Sequence, residues 1–210
     1  LMSLRQGERE LFLHADSYEH FWLSSGALDD LSGAFADHLR ALNPDVVHFH
    51  HIIGLGVEAI SAARRALPDA KIVITFHEYL SICAHHGQMV KTKGNRLCRQ
   101  ATPADCAACF PERTAGEMFR REMFLKHHLG LADAFVSPSH FLVDRYVDWG
   151  LDRSRFTVIE NGLDTSHSAP PRPIPAGGRR ARFGFFGQVT EFKGLPMLLD
   201  AVARVPDDIW

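Results

Sequence analysis

Val46-Val47-His48-Phe49 and Lys71-Ile72-Val73-Ile74-Thr75-Phe76 decide the fold. Both are short apolar runs of buried-strand type. Between them lie a turn marked by Gly54 and Gly56 and a helix to about Leu67, closed by Pro68. Strand, helix and strand within about 30 residues make a βαβ unit, so a parallel sheet is expected. Upstream, Asp29 to Leu42 reads as a helix on the spacing of Leu31, Phe35, Leu39 and Leu42, and Asn43-Pro44 ends it. Downstream, residues 77 to 113 show no period and read as one long loop. Thr114 to Leu131 then reads as a helix, with Met118, Glu122, Leu125 and Leu129 on one side. Ala134-Phe135-Val136-Ser137 is a third strand, followed by a helix through Tyr146. Phe156-Thr157-Val158-Ile159 is a fourth strand. The expected class is α/β: a Rossmann-like parallel sheet with helices on both faces, followed by an incomplete second Rossmann-like domain.

Composition narrows the function. The chain has 210 residues, 46% hydrophobic, with net charge −2. That apolar content supports a real core and excludes a disordered chain. Near-neutral charge argues against nucleic acid as a partner. No apolar run reaches the roughly 18 residues of a membrane span. Arg5, Glu8, Arg9 and Glu10 interrupt the start, so no secretion signal is read and a cytoplasmic protein is expected. Peripheral contact with the inner face of a membrane stays open.

Three domains of sequence are expected. Residues 1–165 form the first α/β domain, and 166–182, with four prolines, Gly177 and Gly178, a linker. Residues 183–210 begin a second domain with Phe183-Gly184-Phe185-Phe186-Gly187 and a helix carrying Leu195, Leu198, Leu199 and Val202. A single βα unit leaves apolar surface uncovered, so residues 183–205 are expected to pack on another chain, as in a dimer, or against the first domain.

Loops at the carboxyl edge of a parallel sheet bind ligands in such folds. His48 to Gly56, with His50, His51 and Gly54, sits at one such edge. His77-Glu78-Tyr79 and Ser137-Pro138-Ser139 sit at the others. His77 is the first catalytic candidate, because imidazole donates or accepts a proton near neutral pH. Glu78 is its neighbour, and alternation along a strand points the two apart. By the same alternation only one of His50 and His51 is expected in the crevice. The pairs His85-His86 and His127-His128 read as ordinary surface or packing residues. Lys193-Gly194, shortly after Gly187-Gln188, opens a helix in a way that suits a phosphate. It is not a Walker loop.

All four cysteines, Cys83, Cys98, Cys106 and Cys109, fall in the long loop, and the last two form Cys-x-x-Cys. A structural zinc site, two disulfides and free thiols are the three readings, with zinc placed first because such a loop has little core of its own.

In their order and spacing these segments resemble glycosyltransferases of the GT-B fold, specifically the retaining family 4. Pro44-Asp45-Val46-Val47-His48-Phe49-His50 resembles that family's "PDVVHxH" strand, and Thr75-Phe76-His77-Glu78-Tyr79 its "TxHD/E" strand end. Ser137-Pro138-Ser139 with Val158-Ile159-Glu160-Asn161-Gly162-Leu163-Asp164 is similar to its "SxS … VIxNGVD" segment. Phe183-Gly184-Phe185-Phe186-Gly187-Gln188, followed by Lys193-Gly194, is similar to the "FxGRLxxxKG" opening of its donor domain.

The resemblance implies an acceptor domain and a nucleotide-sugar domain facing a cleft, with transfer that retains anomeric configuration and needs no metal cofactor. Carried over by position, His77 is the acceptor-side catalytic histidine. His50, His51, Gly54, Glu78, Ser139, Asn161 and Gly162 bind substrate, and Gly187, Gln188, Lys193 and Gly194 hold the donor diphosphate. The implied partners are a UDP- or GDP-type nucleotide sugar and a sugar or lipid-linked acceptor. Three departures stand out. Gln188 occupies the usual arginine position. The first strand with its glycine-rich loop is not seen, residues 1 to 25 reading instead as a later part of the first domain. The donor domain ends after one strand and one helix, without the Glu-x7-Glu segment for the nucleotide ribose. The chain therefore reads as an inactive fragment of a hexose-transferring enzyme. The alternative is a non-catalytic, zinc-stapled α/β module that binds a glycan or a protein. A nucleotide-dependent oxidoreductase is disfavoured, since no Gly-x-Gly-x-x-Gly joins a strand to a helix.

Overall fold

The computed structural model of the chain describes residues 17–25, 28–163, 166, 170, 173, 184–190 and 193–206. Two compact units emerge, Leu1–Gly162 and Leu163–Trp210. Among the described residues the first opens with a short antiparallel hairpin, β1 (Tyr18–Glu19) and β2 (Ser24–Ser25), followed by α1 (Leu28–Leu42). Then come β3 (Val46–Phe49), α2 (Glu58–Ala66), β4 (Lys71–Thr75), α3 (Pro103–Cys109), α4 (Ala115–Leu129), β5 (Ala134–Ser137), α5 (His140–Asp148) and β6 (Phe156–Val158).

The four longer strands form a parallel sheet in the order β3-β4-β5-β6, joined by helical crossovers, as the βαβ reading expects. Register sets the core. Phe49 pairs with Ile74, Ile74 with Phe135 and Phe135 with Phe156, so one apolar row crosses the whole sheet. Paired residues share a face. This row and Ile72 are packed with Ile60 and Ala63 of α2, Leu125 and Leu129 of α4, and Leu142 and Tyr146 of α5. On the opposite face Val46, His48 and Thr157 are exposed, and Val73, Ala134 and Val136 half-buried.

Small side chains bring α2 close to its neighbours: Ala59, Ser61, Ala62 and Ala63 are all buried. Ser61 Oγ lies 2.6 Å from Nδ1 of His128 on α4. Gly56 serves the same close packing just ahead of α2. Its φ is +90°, and an added Cβ would lie 2.7 Å from the Ser25 backbone nitrogen. Only glycine meets both demands, and Val57 N–H then donates to Leu23 O at 2.8 Å.

Residues 77–113 are more ordered than the sequence reading expects. Val90 and Leu97 bridge, and α3 stands within the supposed loop. The signals of α3 are local: Thr102 accepts the Asp105 N–H as N-cap, and Pro103 opens the helix. Seven residues are too few to show a period. The hairpin at 18–25 was equally unforeseen, since its strands are two residues long; residues 1–16 of that region lie outside the described residues. Helix α4 starts with a capping box, Thr114 and Glu117 each bonding the other's backbone.

Arg121 of α4 is 3% exposed. Its guanidinium donates to Phe21 O (2.6 Å), Ser81 O (2.8 Å) and Leu80 O (2.9 Å). Burial pushes its pKa down to about 10, still far above neutrality. A buried charge is tolerable only when its donors are met, and here three carbonyls from two distant segments meet them.

In the second unit, α6 (Leu195–Ala203) matches the expected helix, with Gly194 at φ +76° as its N-cap. The strand expected at 183–187 is not formed among the described residues 184–187, and Phe183 lies outside them. Met197 and Leu199 are exposed.

His128 makes a pH prediction. Burial, assisted by His127 and Arg65, pushes its pKa from 6.5 down to about 4. The folded chain then keeps it neutral where the unfolded chain protonates it, so the unfolded state binds more protons between those values. Stability from this group is full above pH 6.5 and is lost progressively towards pH 4. Thermal denaturation from pH 8 to 4 should show a decline over that window that is shallower in His128→Gln; parallel curves for the two proteins would refute the assignment.

Candidate functional site

The site is built where β3 and β4 end side by side. Phe76 N–H donates to Val136 O (2.9 Å), carrying the ladder past β4 and delivering His77 at the carboxyl edge. His77 is exposed there. Tyr146 of α5 holds both of its neighbours. Its ring stacks on Phe76 with centroids 3.8 Å apart, and its hydroxyl donates to Glu78 O at 3.0 Å. Tyr146 is fully buried, and burial raises its phenol far above the ordinary tyrosine range, so the hydroxyl keeps the proton it donates.

Three side-chain contacts connect the two strand ends, all between residues 27 apart. His48 Nε2 lies 2.7 Å from Thr75 Oγ1 and His50 Nδ1 3.4 Å from His77 Nε2. His51 Nδ1 lies 3.8 Å from Glu78 Oε1. Paired residues in the ladder differ by 25, as in Phe49 and Ile74, so His48–Thr75 is a diagonal contact within the sheet, while the other two contacts lie just past the ends of β3 and β4. Stacking reinforces the contacts. The His48 and His50 rings are 4.2 Å apart, and the His77 ring lies 5.7 Å from His50 and 5.3 Å from His51. Partial burial holds His48 below its usual pKa, and His50 and His77 push it the same way.

The expectation that only one of His50 and His51 reaches the crevice is overturned, since both contact the His77 ring. Alternation requires a regular strand, and β3 ends at Phe49. The Glu78 carboxylate faces His51. A pocket beside these residues is lined by His50, His51, Thr75, Glu78 and Tyr146. Thr75, His48 and Tyr146 were missed by sequence reasoning. The equal spacing of the pairs His48/Thr75, His50/His77 and His51/Glu78 is the signal that would have found the first two.

The other expected residues are placed as follows. Gly54 has φ +78° with open space around it. Ser139 Oγ accepts the Leu142 N–H at 3.2 Å as N-cap of α5, a structural duty. Asn161 and Gly162 are exposed beyond β6. In the second unit Gly187, Gln188 and Lys193 are exposed. There Thr190 N–H donates to Gln188 O (2.9 Å) and Lys193 N–H to Thr190 O (3.2 Å), a tight turn into α6.

Cys83, Cys98, Cys106 and Cys109 are all half-buried free thiols, so the disulfide reading is not met. Among the described residues no group of three or more His, Cys, Asp or Glu side chains is arranged to hold a metal ion. Cys98 Sγ donates to Gln100 O at 3.3 Å. Burial pushes the Cys106 thiol up to about 11, and the other three cysteines add to the rise. Burial raises Cys83 as well, against two backbone N–H groups that bond its sulfur.

The profile of Glycosyltransferase Family 4 matches residues 14–167, which is most of the chain. The chain belongs to that family, and the parallel α/β sheet is consistent with a Rossmann-like domain of it. Comparison with curated proteins yields no match, and comparison with solved structures yields none. No helix among the described residues is long and apolar enough to cross a membrane.

The thiols give a direct measurement. A pKa near 11 in place of 9 lowers the thiolate fraction at pH 8 roughly a hundredfold. Mass-mapped alkylation of native protein should therefore label Cys106 roughly a hundredfold more slowly than the same cysteine in denaturant. Equal rates in the two states would contradict the burial described.

Proposed function

We propose that this chain carries the acceptor side of a retaining, nucleotide-sugar-dependent glycosyltransferase that moves a hexose-type sugar onto a glycan or lipid-linked acceptor. One observation supports this reading above the others: an exposed histidine, His77, stands at the carboxyl edge of the parallel sheet, with Phe76 stacked on Tyr146 and the Glu78 carbonyl bonded by it. A catalytic group must be held in place to act, and here both flanking residues are pinned while the imidazole stays open to a ligand. His77 is the acceptor-side catalytic residue, with His50, His51, Gly54, Glu78, Ser139, Asn161 and Gly162 as substrate contacts.

Transfer breaks the bond between the sugar and the diphosphate, and the departing nucleotide gains negative charge. Lys193 and the backbone at Gly187, Gln188 and Gly194 are the groups of the second unit suited to that charge, since Gly194 opens α6 and a helix N-terminus favours anions. Glutamine at 188 contributes no charge, so Lys193 supplies the cation. UDP and GDP sugars are the donor classes, and no metal step enters.

The test is an assay of the complete gene product against a panel of nucleotide sugars. His77→Ala should lower turnover by about 10²–10⁴-fold and Lys193→Ala by about 10²–10³-fold. Full activity in His77→Ala would remove the acceptor-side role, and full activity in Lys193→Ala the phosphate role. Acceptor binding with no turnover of any donor would favour a non-catalytic glycan-binding module.

A further inference from the structure

We infer that His50 is a positioning residue for His77, selecting the ring nitrogen that His77 presents to the acceptor; this rests on the catalytic reading of His77 above. The argument begins with the ladder. A register offset of 25 between β3 and β4 sets His48 diagonally beside Thr75, and the same spacing of 27 recurs past the strand ends in His50/His77 and His51/Glu78. Thr75 anchors His48 at 2.7 Å, the His48 ring packs against His50 at 4.2 Å, and His50 Nδ1 reaches His77 Nε2 at 3.4 Å.

A hydrogen bond between two imidazole nitrogens needs one proton and one lone pair. One nitrogen of the His50–His77 pair is therefore a donor and the other an acceptor. The tautomer of each ring follows from that of its partner, and Nδ1 of His77 takes the complementary state. A free histidine exchanges between tautomers; this one is bonded to His50, whose ring is held against His48 by packing. The groups facing His77 are His50 and His51 from the end of β3 and Glu78 beside it. Glu78 engages His51 at 3.8 Å, leaving His50 as the hydrogen-bond partner of Nε2.

Nitrogen NMR of the ring of His77 tests this in the full chain, using His50→Phe and His50→Gln. His50 is exposed, so neither change disturbs the core, and backbone spectra check the fold. The His77 ring nitrogens of the parent protein should report one dominant tautomer. His50→Phe should move them towards the mixture of a free imidazole, and His50→Gln, whose amide can donate or accept, should recover most of the parent pattern. Unchanged His77 nitrogens in His50→Phe would overturn the inference. In the complete enzyme kcat of His50→Phe should fall about 10–100-fold, as for other groups that orient a functional ligand, with recovery in His50→Gln. An equal kcat in all three proteins would also overturn it. Full activity in His77→Ala, with the NMR changes intact, would instead remove the catalytic reading and leave the His50–His77 bond standing.

Discussion

Tyr146 is the constraint on which the site depends. Its ring lies on Phe76 and its hydroxyl bonds the Glu78 carbonyl, so one side chain of α5 grips the chain on both sides of His77. The grip is strong because the residue is buried completely, with no water to compete for its hydroxyl. Phe76 in turn touches Phe135 and Phe156, which belong to the aromatic row across the sheet. The position of one exposed imidazole is thus set by the packing of three strands and a helix.

Much of this frame was legible in the sequence. The runs at 46–49, 71–76, 134–137 and 156–159 all lie on strands or their immediate continuation, and the intervening helices fall where Pro, Asn and Gly punctuation puts them. Strands buried on a core announce themselves by composition, and crossovers of that length leave little freedom of topology. The site was legible in part for the same reason: a strand end that terminates in His-Glu marks a carboxyl edge.

What escaped the sequence was contact between distant segments and order without periodicity. Helix α3 and the 18–25 hairpin are too short for a repeating pattern, and local caps and turns specify them. Arg121 looks like one more helix arginine until Phe21, Leu80 and Ser81 turn their carbonyls towards it. His50 and His51 were separated by a strand rule that stops applying one residue earlier, at Phe49.

Arg121 has one more consequence, in the currency of cooperativity. Leu80 and Ser81 begin two residues after the Glu78 carbonyl that Tyr146 holds, so the segment leaving His77 is clamped by α5 and then by α4. A lysine could not replace this clamp, since a single ammonium lacks the planar fork that reaches three separate oxygens. Opening the segment therefore means withdrawing a buried cation from its carbonyls and unstacking the core tyrosine together. Regions with such ties exchange their amide hydrogens only near global unfolding. Amide exchange at the strand end that bears His77 is therefore expected to be nearly as slow as in the core, and that edge to melt with it.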